Sequence, residues 1–356
     1  MPRNFFNSIF LMKTRIKNPL LSILSLLLAC SAAYTYEQDN WYFAKRWVVT
    51  DSRGISFFED KTNGIGRIYV ANGNGNSSKI SVFDMNGTHH RDISIANARG
   101  TAHDLVLDEN GTIYIAESYA VTCLDNNGSF RWRLGKNASI SNSGESGNGN
   151  GEFNNPTNYI GAGGGIDLGP NGKLYVAELG NKRVQIIDLN GSYSGQFGGS
   201  GTSPGKLYSS SGDPIDVAVS TDGKVLVSTN PKWHLFDLQG NFIKRYSHSG
   251  WWVNRYVCSS PEGLFSAQSK LWDSSMSFSI SGPQVHLPAN EYEYKRSRRC
   301  FTKNGDFITS FGNWIKVYKR TYRTVNNTNA VPLPTIHSVS QRTGTNILDL
   351  DFEILD

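Results

Sequence analysis

A recurring unit constrains this chain more than any other feature. A Gly followed by a short alternating pattern appears as GRIYVANG from Gly66, GTIYIAES from Gly111, GKLYVAEL from Gly172 and GKVLVSTN from Gly223, and more weakly as GLFSAQSK from Gly263. A second pattern and turn follow each: SVFDMNGT with Gly87, TCLDNNGS with Gly128, QIIDLNGS with Gly191, HLFDLQGN with Gly240 and CFTKNGDF with Gly305. Another short run precedes each unit (ISFFED, DLVLDE, GIDLGP, IDVAVS, YVCSSP), and one more follows the second turn, as in SYSGQFG and NFIKRYS. Period-two alternation with β-branched and aromatic residues specifies strands. Gly after Asn supplies the positive φ of tight turns.

The unit is thus a four-stranded antiparallel meander. Such a sheet cannot bury both faces alone, but several stacked around an axis can. The sequence therefore predicts an all-β β-propeller of four-stranded antiparallel blades. Its 36 Gly and modest 38% of hydrophobic residues suit many turns and no long helices. The two turn glycines of each unit lie 21, 17, 19, 17 and 42 residues apart, which places an insertion of about 23 residues in the fifth unit, between about Trp272 and Arg299. Five units are evident. A sixth blade is expected from both ends of the domain, WYFAKRWVV near Trp41 and NWIKVYKR near Trp314, because joining first and last strands removes the exposed edge. A five-bladed ring is the alternative.

The stretch GNGNGEFNNPTNYIGAGGGIDLGPNGKLYVAELGNKRVQIIDLNGSYSGQFG resembles the NHL repeat, with Phe153 and Pro156 in a Gly-rich entry and Phe197-Gly198 at its close. The resemblance covers about residues 53 to 312 and implies a propeller, commonly six-bladed. Peptide-amidating lyases with such propellers bind zinc on the axis with His from several blades. His103 resembles those ligands, but Phe58, Gly164, Ile215 and Arg255 hold the matching positions when the units are aligned on their turn Gly. Gluconolactonase-like hydrolases hold axial calcium with acids. By that resemblance the candidates are Glu59, Asp104 and Asp216, which share one register before the turn Gly, with Asp167 near but out of it.

The N-terminus reads as an address. From Met12, a basic stretch precedes an apolar run from Pro19 to Ala29 and then small residues, the three-part form of a secretory signal. The run is about half the length of a membrane-spanning helix. Two processing routes stand open: cleavage after Ala33, or a lipobox-like Leu27-Leu28-Ala29-Cys30 that would lipidate Cys30. Four cations and no acid lie in the first 33 residues. Removing them from the formal +5 leaves 31 Lys and Arg against 30 Asp and Glu. A mature chain near neutrality has no field to gather nucleic acid. The expected domains are a signal sequence (1–33), the propeller (34–323), a linker (324–335) and an amphipathic β segment (336–356) that opens a further domain. In that last segment Leu348, Leu350, Phe352 and Ile354 alternate with acids and need a sheet to pair with.

Cys123, Cys258 and Cys300 are too few for a disulfide framework. Cys258 and Cys300 both fall in the fifth unit, and a bridge between them is not favoured because their strands read as non-neighbouring. There is no HExxH, CxxC, GxSxG or phosphate loop. The Gly-rich segments at 72–76 and 143–152 read as flexible rim loops. Trp251, Trp252, Tyr292, Tyr294, Arg296 and Arg298, in and before the fifth-unit insertion, suit recognition of another surface. The leading reading is an exported, monomeric, non-catalytic module that binds a protein or carbohydrate surface, needs no cofactor and touches membrane only through a lipid anchor. The alternative is a hydrolase or lyase with axial Ca or Zn near His103 and the acids.

Overall fold

In the computed structural model the alternating runs are strands of six four-stranded antiparallel sheets. The structure describes residues 10–16, 40–73, 78–97, 101–155, 164–207, 214–229, 232–247, 256–267, 270–272, 279–281, 298–311, 313–321, 335–341 and 348–354. Five sheets are continuous in sequence, with innermost strands Ile55–Asp60, Ala102–Leu107, Ile166–Leu168, Asp216–Val219 and Cys258–Ser259. The sixth takes Arg298–Phe301, Phe307–Phe311 and Trp314–Thr321 from the C-terminal side, and Asn40–Val48 closes it by pairing with Trp314–Thr321. Each innermost strand touches the next, and the sixth touches the first, so the blades form a closed ring.

The fifth unit differs from its sequence reading. CFTKNGDF belongs to the sixth blade, where Arg298–Phe301 pairs with Phe307–Phe311. The supposed insertion holds the fourth strand of blade five, Ser279–Ser281, and the start of blade six. Strands of two or three residues are too short to show alternation, which is why the boundary was missed.

Alternation decides the packing, because successive side chains face opposite neighbours. In blade two, Ile113 and Ile115 join Tyr69, Ile80 and Val82 of blade one. Tyr114 and Ala116 turn the other way, to Leu174 and Val176 of blade three. Similar clusters fill the seams between blades three and four, four and five, and six and one. Burying each such side chain is worth about 1.5–3 kcal/mol.

The turns interlock too. Gly191 has φ +88°, and a Cβ there would meet the Trp132 ring of the preceding blade at 2.8 Å. Only Gly satisfies both demands. Trp132 Nε1 donates to the Leu189 carbonyl at 3.1 Å, pinning the same turn.

Residues 40–321 form one unit; a second comprises residues 1–39 with 322–356. In the second, Leu348–Ile354 is the central strand of a three-stranded antiparallel sheet, flanked by Phe10–Ile16 and Thr335–Gln341. The amphipathic strand therefore finds partners within its own unit, with Lys13 opposite Asp351 and Arg15 opposite Asp349 in register. The apolar run from Pro19 and Cys30 lie outside the described residues.

Candidate functional site

The innermost strands line an axial cleft of about 180 Å³. Its chemistry follows from one position repeated in every blade. Strand pairing fixes the register: Asp216 lies opposite Ser228, Arg298 opposite Ser310 and Asp104 opposite Ala116. The carbonyls of Gly54 and Gly165 bond the matching Ala71 and Ala177 N–H groups. With Tyr256 in blade five, the ring reads Gly54, Asp104, Gly165, Asp216, Tyr256, Arg298 around the axis.

Arg298 crosses the channel. Its Nη1 donates to Asp104 Oδ2 at 2.6 Å and to Asp216 Oδ1 at 3.1 Å, and its guanidinium lies 4.6 Å over the Tyr256 ring. The glycines give the two aspartates room. A Cβ on Gly54 would stand 2.5 Å from Asp104 Cα, and one on Gly165 would stand 2.0 Å from Asp216 Oδ1. Each aspartate also binds the next blade: Asp104 Oδ2 accepts from Ile166 N at 3.4 Å and Asp216 Oδ2 from Val257 N at 2.9 Å. All three ionic side chains are nearly inaccessible. Burial pushes both aspartates above the usual carboxylate range, and the shared guanidinium opposes it.

Asp167 lies two residues past ring position Gly165 and lines the cleft. Its oxygens accept from Leu168 N at 2.8 Å and Val219 N at 2.7 Å, and burial raises it to about 7. His103 is a bulge residue outside the cleft, its Nε2 3.3 Å from Ser118 Oγ. Burial, then Arg298 and Arg53, lowers it to about 3 and keeps it neutral. Glu59 is not in the ring; its Oε1 faces Lys303 Nζ at 3.7 Å. The blade-one hairpin is longer, with Glu59 paired to Gly66, Asp60 to Ile65 and the turn closing at Gly64, so counting from Gly66 displaced the register. That error put Phe58 in the place held by Arg53, directly before ring residue Gly54.

Arg298 is likewise not on a projecting loop: it opens an innermost strand and is buried. Trp251, Trp252, Tyr292, Tyr294 and Arg296 lie outside the described residues. The Gly-rich segment at 143–152 is not a loose loop. Arg183, paired with the buried Glu178 carboxylate, donates to the Asn148, Gly149 and Glu152 carbonyls at 3.1, 2.8 and 2.8 Å. Among the described residues, no group of three or more His, Cys, Asp or Glu is disposed to hold a metal. Gly165, Tyr256 and Arg298 were missed although each lies seven residues before its turn glycine (Gly172, Gly263, Gly305), as Asp104 and Asp216 do before Gly111 and Gly223; only Gly54, twelve before Gly66, departs from that register.

No protein-family model matches the sequence, and neither does any curated protein. Among solved structures, the chain is similar to a streptogramin B lyase at 13% identity and TM-score 0.51, over 79% of this chain and 98% of that one. It is also similar to a catalytically inactive variant of virginiamycin B lyase from Staphylococcus aureus, solved with quinupristin, at 12% identity and TM-score 0.50, over 87% and 97%. At such identity the likeness carries the fold alone: the chain is a β-propeller.

Proposed function

We propose that the chain is an exported, non-catalytic propeller of NHL type that binds a protein or glycan surface. One observation carries this reading: the Arg298 guanidinium stands on the axis between Asp104 and Asp216. A catalytic metal would need those oxygens free and pointing inward. Here they bind a fixed cation and backbone N–H groups, and both Asp167 oxygens are taken by backbone. The residues present do not fit axial calcium or zinc. The lyase activities of the fold neighbours do not transfer with a shared fold. Recognition then falls to groups off the axis, and the sequence offers the aromatic and cationic side chains of Trp251, Trp252, Tyr292, Tyr294 and Arg296 for it. The signal-like N-terminus and near-neutral mature charge favour a partner outside the cytoplasm over nucleic acid.

The test is elemental analysis after dialysis in metal-free buffer, followed by glycan- and protein-array binding of wild type, Asp104→Asn and Trp251→Ala/Trp252→Ala. The expected result is no stoichiometric metal, with binding kept in the first variant and lost in the second. One tightly held calcium or zinc per chain, with binding lost in the axial variant, would overturn the reading. Mass analysis of the exported protein separates cleavage after Ala33 from acylation at Cys30.

A further inference from the structure

We propose that the axial cleft is a binding site for a small organic primary ammonium ion, with the Asp167 carboxylate as its counter-ion. Three carboxylates line the cleft, those of Asp104, Asp167 and Asp216, against the two guanidiniums of Arg298 and Arg299. Arg298 is shared between Asp104 and Asp216. Arg299 turns toward blade five, where its Nη1 stands 3.4 Å from Ser266 Oγ. Asp167 is left over. Its oxygens accept from the N–H groups of Leu168 and Val219, and among the described residues no Lys, Arg or His pairs with it.

The fold sets this carboxylate where a ligand would meet it. Asp167 lies about 7 Å along its strand from ring position Gly165. The cleft of about 180 Å³ has room for several waters or one small organic molecule. Ser56 and Cys258, each also two residues past a ring position, line the same cleft from blades one and five. Burial raises the Cys258 thiol, so it stays neutral and adds no second negative charge. An unpaired carboxylate away from water is costly, and burial with no cation beside it raises Asp167 to about 7. A ligand's positive charge restores the ionised form.

The same groups select the class of cation. Each Asp167 oxygen already accepts one backbone N–H. That leaves too few sites for a calcium shell, but enough for an N–H donor. A quaternary ammonium has no N–H to give and is held instead by aromatic faces. The two phenylalanines of the lining are engaged elsewhere: Phe57 packs into the seam between blades six and one, and Phe301 lies 5.0 Å from the Phe307 ring. A primary ammonium carries one charge and several N–H donors, which matches one carboxylate and a neighbouring hydroxyl.

This inference stands apart from the surface recognition proposed above. The experiment is isothermal titration calorimetry on the full chain, dialysed free of amines, with ethanolamine, ethylene glycol, choline and potassium chloride as probes. The expected result is one ethanolamine per chain, weakened about tenfold or more in Asp167→Asn, and no heat from the other three probes. Thermal unfolding checks that the variant folds. A crystal structure with the amine bound, which depends on no variant, should place its nitrogen within hydrogen-bond reach of an Asp167 oxygen. Equal heat from ethylene glycol, binding of choline or potassium, no ethanolamine binding at millimolar concentration, or unchanged affinity in folded Asp167→Asn overturns the proposal.

Discussion

Replacing Arg298 with Met removes the axial charge while keeping most of the side-chain volume. Two buried carboxylates, Asp104 and Asp216, then lose the group they share. Removing one side of a buried ion pair costs about 3–5 kcal/mol, because the remaining charge stays desolvated. Both aspartates already sit above the usual carboxylate range, and without the guanidinium they rise further. An acid whose folded-state pKa lies above its unfolded value contributes stability at low pH and loses it as pH climbs through the folded value. Protonation thus relieves the variant in acid. Urea unfolding followed by tryptophan fluorescence should give a loss of about 3–5 kcal/mol at pH 8 and roughly half that or less at pH 5. Asp104→Asn is the companion. The ring holds one more carboxylate than guanidinium, so this change leaves a one-to-one pair and should cost no more than about 1 kcal/mol. A loss below about 1 kcal/mol for Arg298→Met at pH 8, or one equal at both pH values, would refute the charge argument.

Gly165→Ala drives a Cβ to 2.0 Å from Asp216 Oδ1 and 2.7 Å from its Cα; calorimetry should show a loss of about 2–4 kcal/mol. Asp167→Asn keeps an acceptor for Val219 N but removes a carboxyl held at about 7. Wild-type stability should therefore decline between about pH 4 and 7 more steeply than the variant's, by about 2 kcal/mol once discounted for a carboxylate that lines an open cleft. Arg183→Met strands buried Glu178 and frees three loop carbonyls; it should cost about 3–5 kcal/mol and open residues 147–153 to limited proteolysis.

Where a strand has five or six residues and a turn closes at Asn-Gly, sequence alone places it correctly, as Lys173–Glu178 and Arg183–Asp188 show. Pairing of the two chain ends was also legible, because WYFAKRWVV and NWIKVYKR alternate yet had no partner nearby. The blade five to six boundary was not, since Cys258–Ser259 and Phe265–Ala267 are too short to show a period. Asp104, Asp167 and Asp216 were found on the axis, but the partner of two of them was not. Arg298 lies 194 residues from Asp104 and 82 from Asp216, and the one signal of their meeting is its place seven residues before Gly305, the register that Asp104 and Asp216 hold before Gly111 and Gly223. Glu59 failed for a smaller reason, an uncounted lengthening of the blade-one hairpin, whose strands pair on past Gly66.

A propeller blade packs mainly on its two neighbours, so opening one seam is in principle a local event. The Arg298 bridge breaks that locality by tying blade six to blades two and four at once. The pairing of Asn40–Val48 with Trp314–Thr321 closes the ring at its outer edge, while Arg298 closes it at the axis. If both closures hold, unfolding is a single transition in the wild type. In Arg298→Met it should broaden, with a lower urea m-value, because seams can then open separately. An unchanged m-value with reduced stability would mean that the bridge stabilises without coupling the blades. A loss of both would mark the axis as the ring's fastener, built from the side chains a ligand would otherwise meet.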